Sequence, residues 1–497
     1  MKLGVSNTIP NIVNLPGQGG GGGAPFSTKS LLFDGALDWV QSYPVYSALD
    51  GLDNFAVSFW IKFDDLSVNG NIFGISNQPQ ADTRDQQIQC VWNASGNWLQ
   101  IYFNGLTTYC YTDPLLWNPV TSTWYHVLIT RDTTRVGDKC RVYVDGTDCL
   151  QGETATQPTL NTSTSGIYIG DSVGLLNSDI AGTIDEFAIY TQDMAAYKDE
   201  IYNGGTPDDL DNLPTAPSPN VWYRMGENAT FKDPQILMPE QNNKDKVSNY
   251  SLDFDGVTSY IDTSNATLVN GYTDVTFSYW VNVKTGAASW EGILCSRGGS
   301  DYIISHIHSV SGSTYTLYIQ QQNGGGGTYT YTYTPSLNMD TWYHVAIMGS
   351  VGGKWDMYIN GSNAAQVQGA NTIGGITQSA IFQIGRDYAT RELVGAIDEV
   401  SIFNSVKAIG DLWDGSGKPT DLTGESGIVS WWRMGEEAIF DPTPTEWTIP
   451  DQIGSNNGTS ANMDIYARVG DAPDSPNNAL SYNMDAVDIV EDAPPNP

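Results

Sequence analysis

Positive charge is what this 497-residue chain has least of: 22 Lys and Arg stand against 56 Asp and Glu, a net charge of −34. Nucleic acids are bound through basic patches, so a nucleic-acid partner is excluded, and an anionic membrane surface with it. No apolar run approaches the ~20 residues that cross a bilayer as a helix. The opening stretch MKLGVSNTIPNIVNLPGQGGGGG has one Lys and no apolar core, so it does not read as a secretory signal. The expectation is a chain made in a cytoplasm that reaches the outside by another route, such as cell lysis. Cysteine is sparse too: Cys90, Cys110, Cys140, Cys149 and Cys295, an odd number that leaves at least one unpaired. If Asn93–Asn97 and Asn104-Gly105 are turns, Cys90 and Cys110 lie on strands with a third between them. That puts them about 9–10 Å apart, too far for a disulfide. Cys140 and Cys149 flank Asp145-Gly146, whose two-residue turn opposes residue 142, not 140, to 149. Free thiols are expected, consistent with assembly in a reducing cell.

Several chemical signatures are missing. There is no phosphate-binding loop, no Cys-x-x-Cys pair and no Ser-His-Asp order above chance. No EF-hand spacing appears, and His306 and His308, two residues apart on one strand face, have no partner motif for zinc. Charged residues make up only 16% of the chain, while aromatics reach 11% and there are 52 Gly. That is a turn-rich β composition.

What the chain does have is a repeat. Gly182–Tyr190 (GTIDEFAIY) recurs as Gly395–Phe403 (GAIDEVSIF). Leu32-Phe33-Asp34-Gly35 recurs as Asp253-Phe254-Asp255-Gly256, and Phe59-Trp60 as Tyr279-Trp280. Trp124-Tyr125-His126-Val127 recurs as Trp342-Tyr343-His344-Val345, and Tyr143-Val144-Asp145-Gly146 as Tyr358-Ile359-Asn360-Gly361. Trp222-Tyr223-Arg224-Met225-Gly226-Glu227 recurs as Trp431-Trp432-Arg433-Met434-Gly435-Glu436. Within the first copy, alternation and turn residues predict strands at 31–34, 54–62, 71–76, 86–92, 98–103, 107–112, 124–131, 140–145, 166–170, 182–190 and 220–226. The best helix candidate is 193–202, stopped by Asn203-Gly204-Gly205. The organisation read from this is a flexible Gly-rich arm over 1–29, one β domain over 30–245, a second over 246–471, and an extended, acidic, Pro-rich tail over 472–497.

These motifs, in the same order twice, resemble the concanavalin A-like lectin/glucanase superfamily, and within it the laminin-G-like jelly rolls. The resemblance implies an all-β chain of two tandem antiparallel jelly-roll sandwiches, with the arm and the tail at either end. Glycoside hydrolases on that fold carry two catalytic carboxylates on one strand, spaced so that both face the substrate. This chain has no such segment. Asp185-Glu186 and Asp398-Glu399 are adjacent, so strict alternation sends their side chains to opposite faces. The protein therefore reads as a non-enzyme. Each Asp reads either as a cation ligand or as an acceptor for loop N–H groups. Calcium is the cofactor the resemblance admits, with no site located, and no other cofactor is implied. His126 and His344 read as hydrogen-bonding residues of the core or of an interface rather than as catalysts.

Sugar binding needs aromatic faces for the rings and amides or carboxylates for the hydroxyls. The candidates are Trp92, Trp98 and Tyr102 in the first domain and Tyr329, Tyr331 and Tyr333 in the second, where TYTYTYT alternates strictly. The competing reading is that these residues line the sandwich interior or a partner interface. Tandem domains of this kind behind a Gly-rich leader also resemble structural proteins of tailed phages, marine ones especially. That resemblance implies a virion subunit (capsid decoration, head fibre or tail fibre) that contacts other virion proteins through the arm or the tail. It would be a homo-oligomer, with host-surface glycans as ligands. The alternatives are a cellular carbohydrate-binding adhesin and a polysaccharide hydrolase.

Overall fold

A computed structural model describes residues 26–42, 48–76, 86–104, 108–154, 159–160, 162, 165–171, 179–298, 301–322, 328–333, 336–376, 378, 380–387 and 391–494. The glycine run of the arm lies outside them. The predicted strands form where alternation placed them: Asn54–Phe63, Gln86–Asn93, Trp98–Phe103, Trp124–Asp132 and Ala181–Tyr190 are examples. In Asn54–Phe63 the odd-numbered residues Phe55, Val57, Phe59, Ile61 and Phe63 are fully buried in the core between two sheets. The expected helix is shorter than read. It starts as a 3-10 turn at Ala195–Tyr197, is α-helical over Lys198–Tyr202, and ends where Asn203 turns left-handed at φ 48°.

Each repeat is a sandwich of two antiparallel sheets. In the first, an eight-stranded sheet runs from Thr147–Asp148 through Cys140–Val144, Trp124–Asp132, Asn54–Phe63 and Ala181–Tyr190 to Ser30–Asp34. It faces a ten-stranded sheet built from Leu150–Glu153, Thr108–Thr112, Trp98–Phe103, Gln86–Asn93, Gly70–Ser76, Gly166–Ile169 and Trp39–Ser42, with three more strands beyond. The second repeat has the same plan, with Asp274–Val283 and Val394–Phe403 at the centre of one sheet and Asp301–Ser311 in the other.

The C-terminal segment is extended, and its strands belong to the first jelly roll. Ala479–Tyr482 lies between Trp39–Ser42 and Gln235–Met238, and Ile489–Val490 pairs with the first strand, Ser30 opposite Val490. The second jelly roll fills the same places from its own sequence: Gly458–Ala461 pairs with Tyr260–Asp262 and Glu446–Ile449, and Arg468–Val469 pairs with Ser251–Asp255. The chemistry repeats as well. Asp471 accepts from Trp342 Nε1 (3.0 Å) and pairs with Lys284 (3.0 Å), while Asp492 accepts from Trp124 Nε1 (3.3 Å) and pairs with Lys62. The second jelly roll is thus inserted into the first, between Gln235–Met238 and Ala479–Tyr482. The repeat unit runs past the Trp-Arg-Met-Gly-Glu segment, to Val490 in the first roll and Val469 in the second.

Two segments therefore cross between the rolls. Asn243 Nδ2 donates to Asn478 Oδ1 (3.0 Å), and Ser475 Oγ donates to Ser248 O, tying one crossing to the other. Beside them Trp39, Tyr168, Leu237, Tyr250, Leu480 and Tyr482 form one buried cluster, with Trp39 and Tyr482 stacked at 4.0 Å. Arg468 is fully buried there, donating to Gln235 Oε1 (2.9 Å) and Lys232 O (2.6 Å).

The cysteines correct one expectation. Cys90 and Cys110 do flank a strand, both aligned with Ile101. Cys110 is nevertheless joined to Cys140 by a disulfide, with Cα atoms 6.7 Å apart. These two residues lie in opposite sheets, so the bond spans the core, a contact that counting neighbours within one sheet does not reveal. Cys90, Cys149 and Cys295 are free and buried. The thiols therefore give no argument for a reducing compartment.

Burial of Leu480 and Tyr482 alone is worth about 4 kcal/mol, at roughly 2 kcal/mol per large apolar side chain. Removing residues 475–497 is expected to open the first jelly roll to trypsin while the second, which keeps every one of its own strands, stays protected. Limited digestion followed by mass spectrometry reads this directly. Equal protection of both rolls in the truncated chain would contradict the insertion.

Candidate ligand-binding site

The larger sheet of each sandwich turns one side to the core and the other outward. In the first jelly roll the register sets Gln89 opposite Tyr102, Asn93 opposite Trp98, Gln100 opposite Tyr111 and Tyr102 opposite Tyr109. All of these are on the outward side, because the residues between them (Ile88, Cys90, Leu99, Ile101, Cys110) are in the core. Four half-buried rings run in sequence across this face: Trp98 to Tyr111 at 5.2 Å, Tyr111 to Tyr109 at 6.0 Å, and Tyr109 to Tyr102 at 5.9 Å. Buried amides lie among them. Gln89 donates to Asn71 Oδ1 (3.0 Å), and Gln100 Oε1 accepts from Asn93 (3.3 Å) and from Trp98 Nε1 (3.4 Å).

The predicted site residues separate on this structure. Trp98 and Tyr102 lie on the outward face. Trp92 does not: it is fully buried, packs against Phe63 and Trp117, and donates to Leu66 O (3.1 Å). It sits one residue out of phase with the outward positions, and no ligand reaches it there. In the second jelly roll the register opposes Tyr329 to Gln321 and Tyr331 to Ile319, the core-side residues of Thr314–Gln322. The outward residues Tyr318 and Gln320 are opposed by Thr332 and Thr330. The side chains of Tyr329, Tyr331 and Tyr333 lie outside what is described.

The outward face of the second roll carries other residues. Trp290, 43% exposed and left-handed at φ 78°, stands over His306 (5.3 Å) and His308 (6.0 Å). Tyr318 stacks on His308 at 5.0 Å. Asp387, buried, is 3.6 Å from His306 Nδ1, 3.5 Å from Arg297 and 3.6 Å from Arg391. Non-glycine residues in the left-handed region concentrate at functional sites. The sequence reading missed Tyr109, Tyr111 and Trp290. Alternation around Cys110 in Thr108–Thr112 would have found the first two, whereas Trp290 precedes its strand and carries no periodic signal.

His126 and His344 are interior. Each is 1% exposed, each shares a hydrogen bond with a serine (Ser58 at 2.9 Å, Ser278 at 2.8 Å), and burial pushes each down to about 3. They stay neutral at ordinary pH.

The Asp-Glu pairs overturn the alternation argument. Glu186 and Glu399 adopt φ 48° and 50°, a bulge that shifts the register between Asp185 and Ala188 and between Ser278 and Trp280. Both carboxylates of a pair then fall on the same side of the sheet. In the second roll Asp398, Glu399 and Glu436 bring oxygens within 4.8 Å of one another, the one such trio of acidic, His or Cys side chains among the described residues. Donors already occupy it. Asp398 accepts from Ser248 Oγ (2.8 Å) and Glu399 N (2.8 Å), and Glu399 from Trp431 Nε1 (2.6 Å) and Arg433 Nε (3.0 Å). Glu436 Oε1 accepts from Asn249 and Tyr250 N–H. Only Glu436 Oε2 has no hydrogen-bond partner. Calcium takes six to eight oxygen ligands, so this hydrogen-bonded set does not fit it. The first roll repeats the set with Ser27, Asp185, Glu186, Trp222, Arg224 and Glu227. These acids are acceptors for N–H and O–H groups, as one of the two sequence readings held.

An antiparallel two-sheet sandwich with an aromatic, amide-bearing outer face is the architecture of lectin-type jelly rolls. Residues 34–198 and 255–408 match the profile of the concanavalin A-like lectin/glucanases superfamily. These segments make up well over half of the chain, and the chain belongs to that superfamily. No curated protein matches it. Solved structures similar to it include a putative carbohydrate binding protein from Bacteroides ovatus (13% identity, 84% of this chain and 95% of that one, TM-score 0.35). Another is the carbohydrate-binding module CBM40 of Ruminococcus gnavus IT-sialidase, bound to α2,3-sialyllactose (16% identity, 33% and 94%, TM-score 0.28). A third is tailspike protein 2 from Escherichia coli O157:H7 bacteriophage CAB120 (15% identity, 38% and 30%, TM-score 0.28). No helix among the described residues is long and apolar enough to cross a membrane.

Burial pushes Glu186 up to about 7 and Glu436 up to about 8, against an ordinary glutamate value of 4.5. Between those values the folded chain holds more protons than the unfolded one, so these groups lower stability as pH rises. The buried histidines work the other way, but only up to their ordinary value of 6.5. Above pH 6.5 the carboxylate effect stands alone among these groups. The melting temperature, followed by circular dichroism, is expected to fall from pH 6.5 to about 8, and Glu436→Gln is expected to flatten that slope.

Proposed function

We propose that the protein is a non-catalytic glycan-binding subunit displayed on a virion. The observation that carries the binding half is the run of four rings, Trp98, Tyr111, Tyr109 and Tyr102, on the outward face of the first jelly roll, with Asn71, Gln89 and Gln100 among them. Rings at successive spacings of 5.2–6.0 Å offer stacking surfaces to consecutive sugar units, and the buried amides beneath them bond to one another and to Trp98. In the second roll Trp290 with His306, His308 and Tyr318 gives a separate, more charged face, on which Arg297 and Arg391 flank Asp387. The carboxylate pairs are held by structural donors, which supports binding rather than hydrolysis.

The virion half rests on the sequence resemblance to tailed-phage structural proteins. In that placement residues 1–25 make the contact with the particle, and the subunit assembles with copies of itself and with other virion proteins. A cellular adhesin uses the same binding face and differs only in where the chain resides.

Titration against a glycan array followed by calorimetry on the best ligand is expected to show about tenfold weaker binding for Trp98→Ala and for Tyr109→Ala, a loss of about 1.4 kcal/mol each. Unchanged affinity in both would remove this face as the site. Mass spectrometry of density-gradient fractions from the source culture tests the placement. The chain is expected with DNA-containing particles at a fixed copy ratio, and recovery as a free soluble species would favour the adhesin.

A further inference from the structure

The two jelly rolls carry the same tryptophan–arginine pair at the same point, away from the glycan face, and finish it differently. Trp222 and Arg224 bind Glu186 in the first roll (2.7 and 3.1 Å), and Trp431 and Arg433 bind Glu399 in the second (2.6 and 3.0 Å). Over the first pair lies Phe26. Its ring is nearly parallel to that of Trp222, at 12° and 6.1 Å, and the Arg224 guanidinium is 3.9 Å from its centroid. Its carbonyl accepts from Arg224 Nη2. In the second roll the carbonyl that accepts from Arg433 Nη2, at 3.5 Å, belongs to Val247. Val247 thus holds the backbone place of Phe26, but its side chain is 74% exposed and covers nothing.

A second difference adds to the first. The loop before the tryptophan spans twelve positions from Leu210 to Trp222 and nine from the matching Leu422 to Trp431, so the second is three shorter. In the first roll Leu213 and Ala216, from that loop, pack with Phe26 around Trp222. With the ring absent and the loop shorter, the second roll has a cavity of about 470 Å³ bounded by Val247, Glu399, Lys418, Asp421, Trp431 and Arg433.

We infer that this cavity is a docking site for an aromatic side chain of a partner protein, which takes in the second jelly roll the place that Phe26 takes in the first. The first roll shows the interaction in this same frame: a ring laid on the tryptophan and capped by the arginine, a cation–π contact with stacking. Residues 1–25 contain no aromatic residue, so that segment does not supply the ring. On the rim, Asp414 and Asp421 outnumber Lys418, while Glu399 and Arg433, and Asp474 and Lys246, neutralise each other. The rim therefore selects an aromatic residue with a basic neighbour. This inference does not depend on the glycan-binding reading.

The test titrates the full chain calorimetrically with the peptide acetyl-Ala-Pro-Phe-Ser-Thr-Lys-amide, which copies residues 24–29. Wild type is expected to bind it, and the same peptide with Ala for Phe at least tenfold more weakly. Val247→Phe is expected to fill the cavity, raise the melting temperature and abolish peptide binding. Asp421→Asn, which removes the rim charge but keeps an acceptor for the Thr423 N–H (2.9 Å), is expected to weaken binding several-fold with the melting temperature unchanged. Absence of binding to wild type, or equal binding to Val247→Phe, overturns the proposal. So does free p-cresol binding as tightly as the peptide, since the cavity would then serve a small aromatic molecule.

Discussion

Each jelly roll is held shut by one buried joint of carboxylates. The bulge at Glu186 or Glu399 places two adjacent acids on one side of the sheet, and each takes a different partner. The Asp catches the serine before the first strand, and the Glu catches the tryptophan and the arginine of the late strand. A third acid, Glu227 or Glu436, accepts two backbone N–H groups at the start of the first strand. Three segments far apart in sequence meet there. In a dry site the loss of any one member strands its partners, which is why such joints are sensitive to single changes even where they add little net stability.

The strand plan was legible in the sequence because period-2 alternation reports which face is buried, and in this chain the buried faces are long and apolar. Alternation failed where the backbone departs from it. The left-handed Glu186 and Glu399 break the period by one residue, so side chains read as opposed fall together. The disulfide was missed for a related reason: strand spacing within a sheet says nothing about the sheet across the core, where Cys110 meets Cys140. The C-terminal segment interleaves apolar and polar residues over Ala479–Ile489 as a core strand does, but its partners are more than two hundred residues earlier, and no local pattern names them. Of the candidate site, alternation was enough for Trp98 and Tyr102, and it would have excluded Trp92, which sits among core positions.

With a common frame, the two rolls differ in what they expose. The first presents tyrosines and amides outward and keeps its Trp222–Arg224 pair covered. The second presents histidine, arginine and aspartate around Trp290 and leaves Trp431–Arg433 open. The frame is retained in both because the joint and the core depend on it, while the outward face and the loop before the tryptophan bear no such load. Duplication has thus given one chain two surfaces of unlike chemistry, and the paired crossings near Asn243 and Asn478 restrict how those surfaces can turn relative to each other.

The insertion also sets an order of events during synthesis. A ribosome delivers most of the first roll's residues before the second's, yet the gap between Trp39–Ser42 and Gln235–Met238 waits for a strand, Ala479–Tyr482, made only after the second roll. The later-made roll has all its strands first, and the earlier-made one spends most of translation with two unpaired sheet edges facing water. Such edges invite pairing with other nascent chains. Synthesis of residues 479–490 is therefore the moment at which the edges of the first roll become safe from its neighbours.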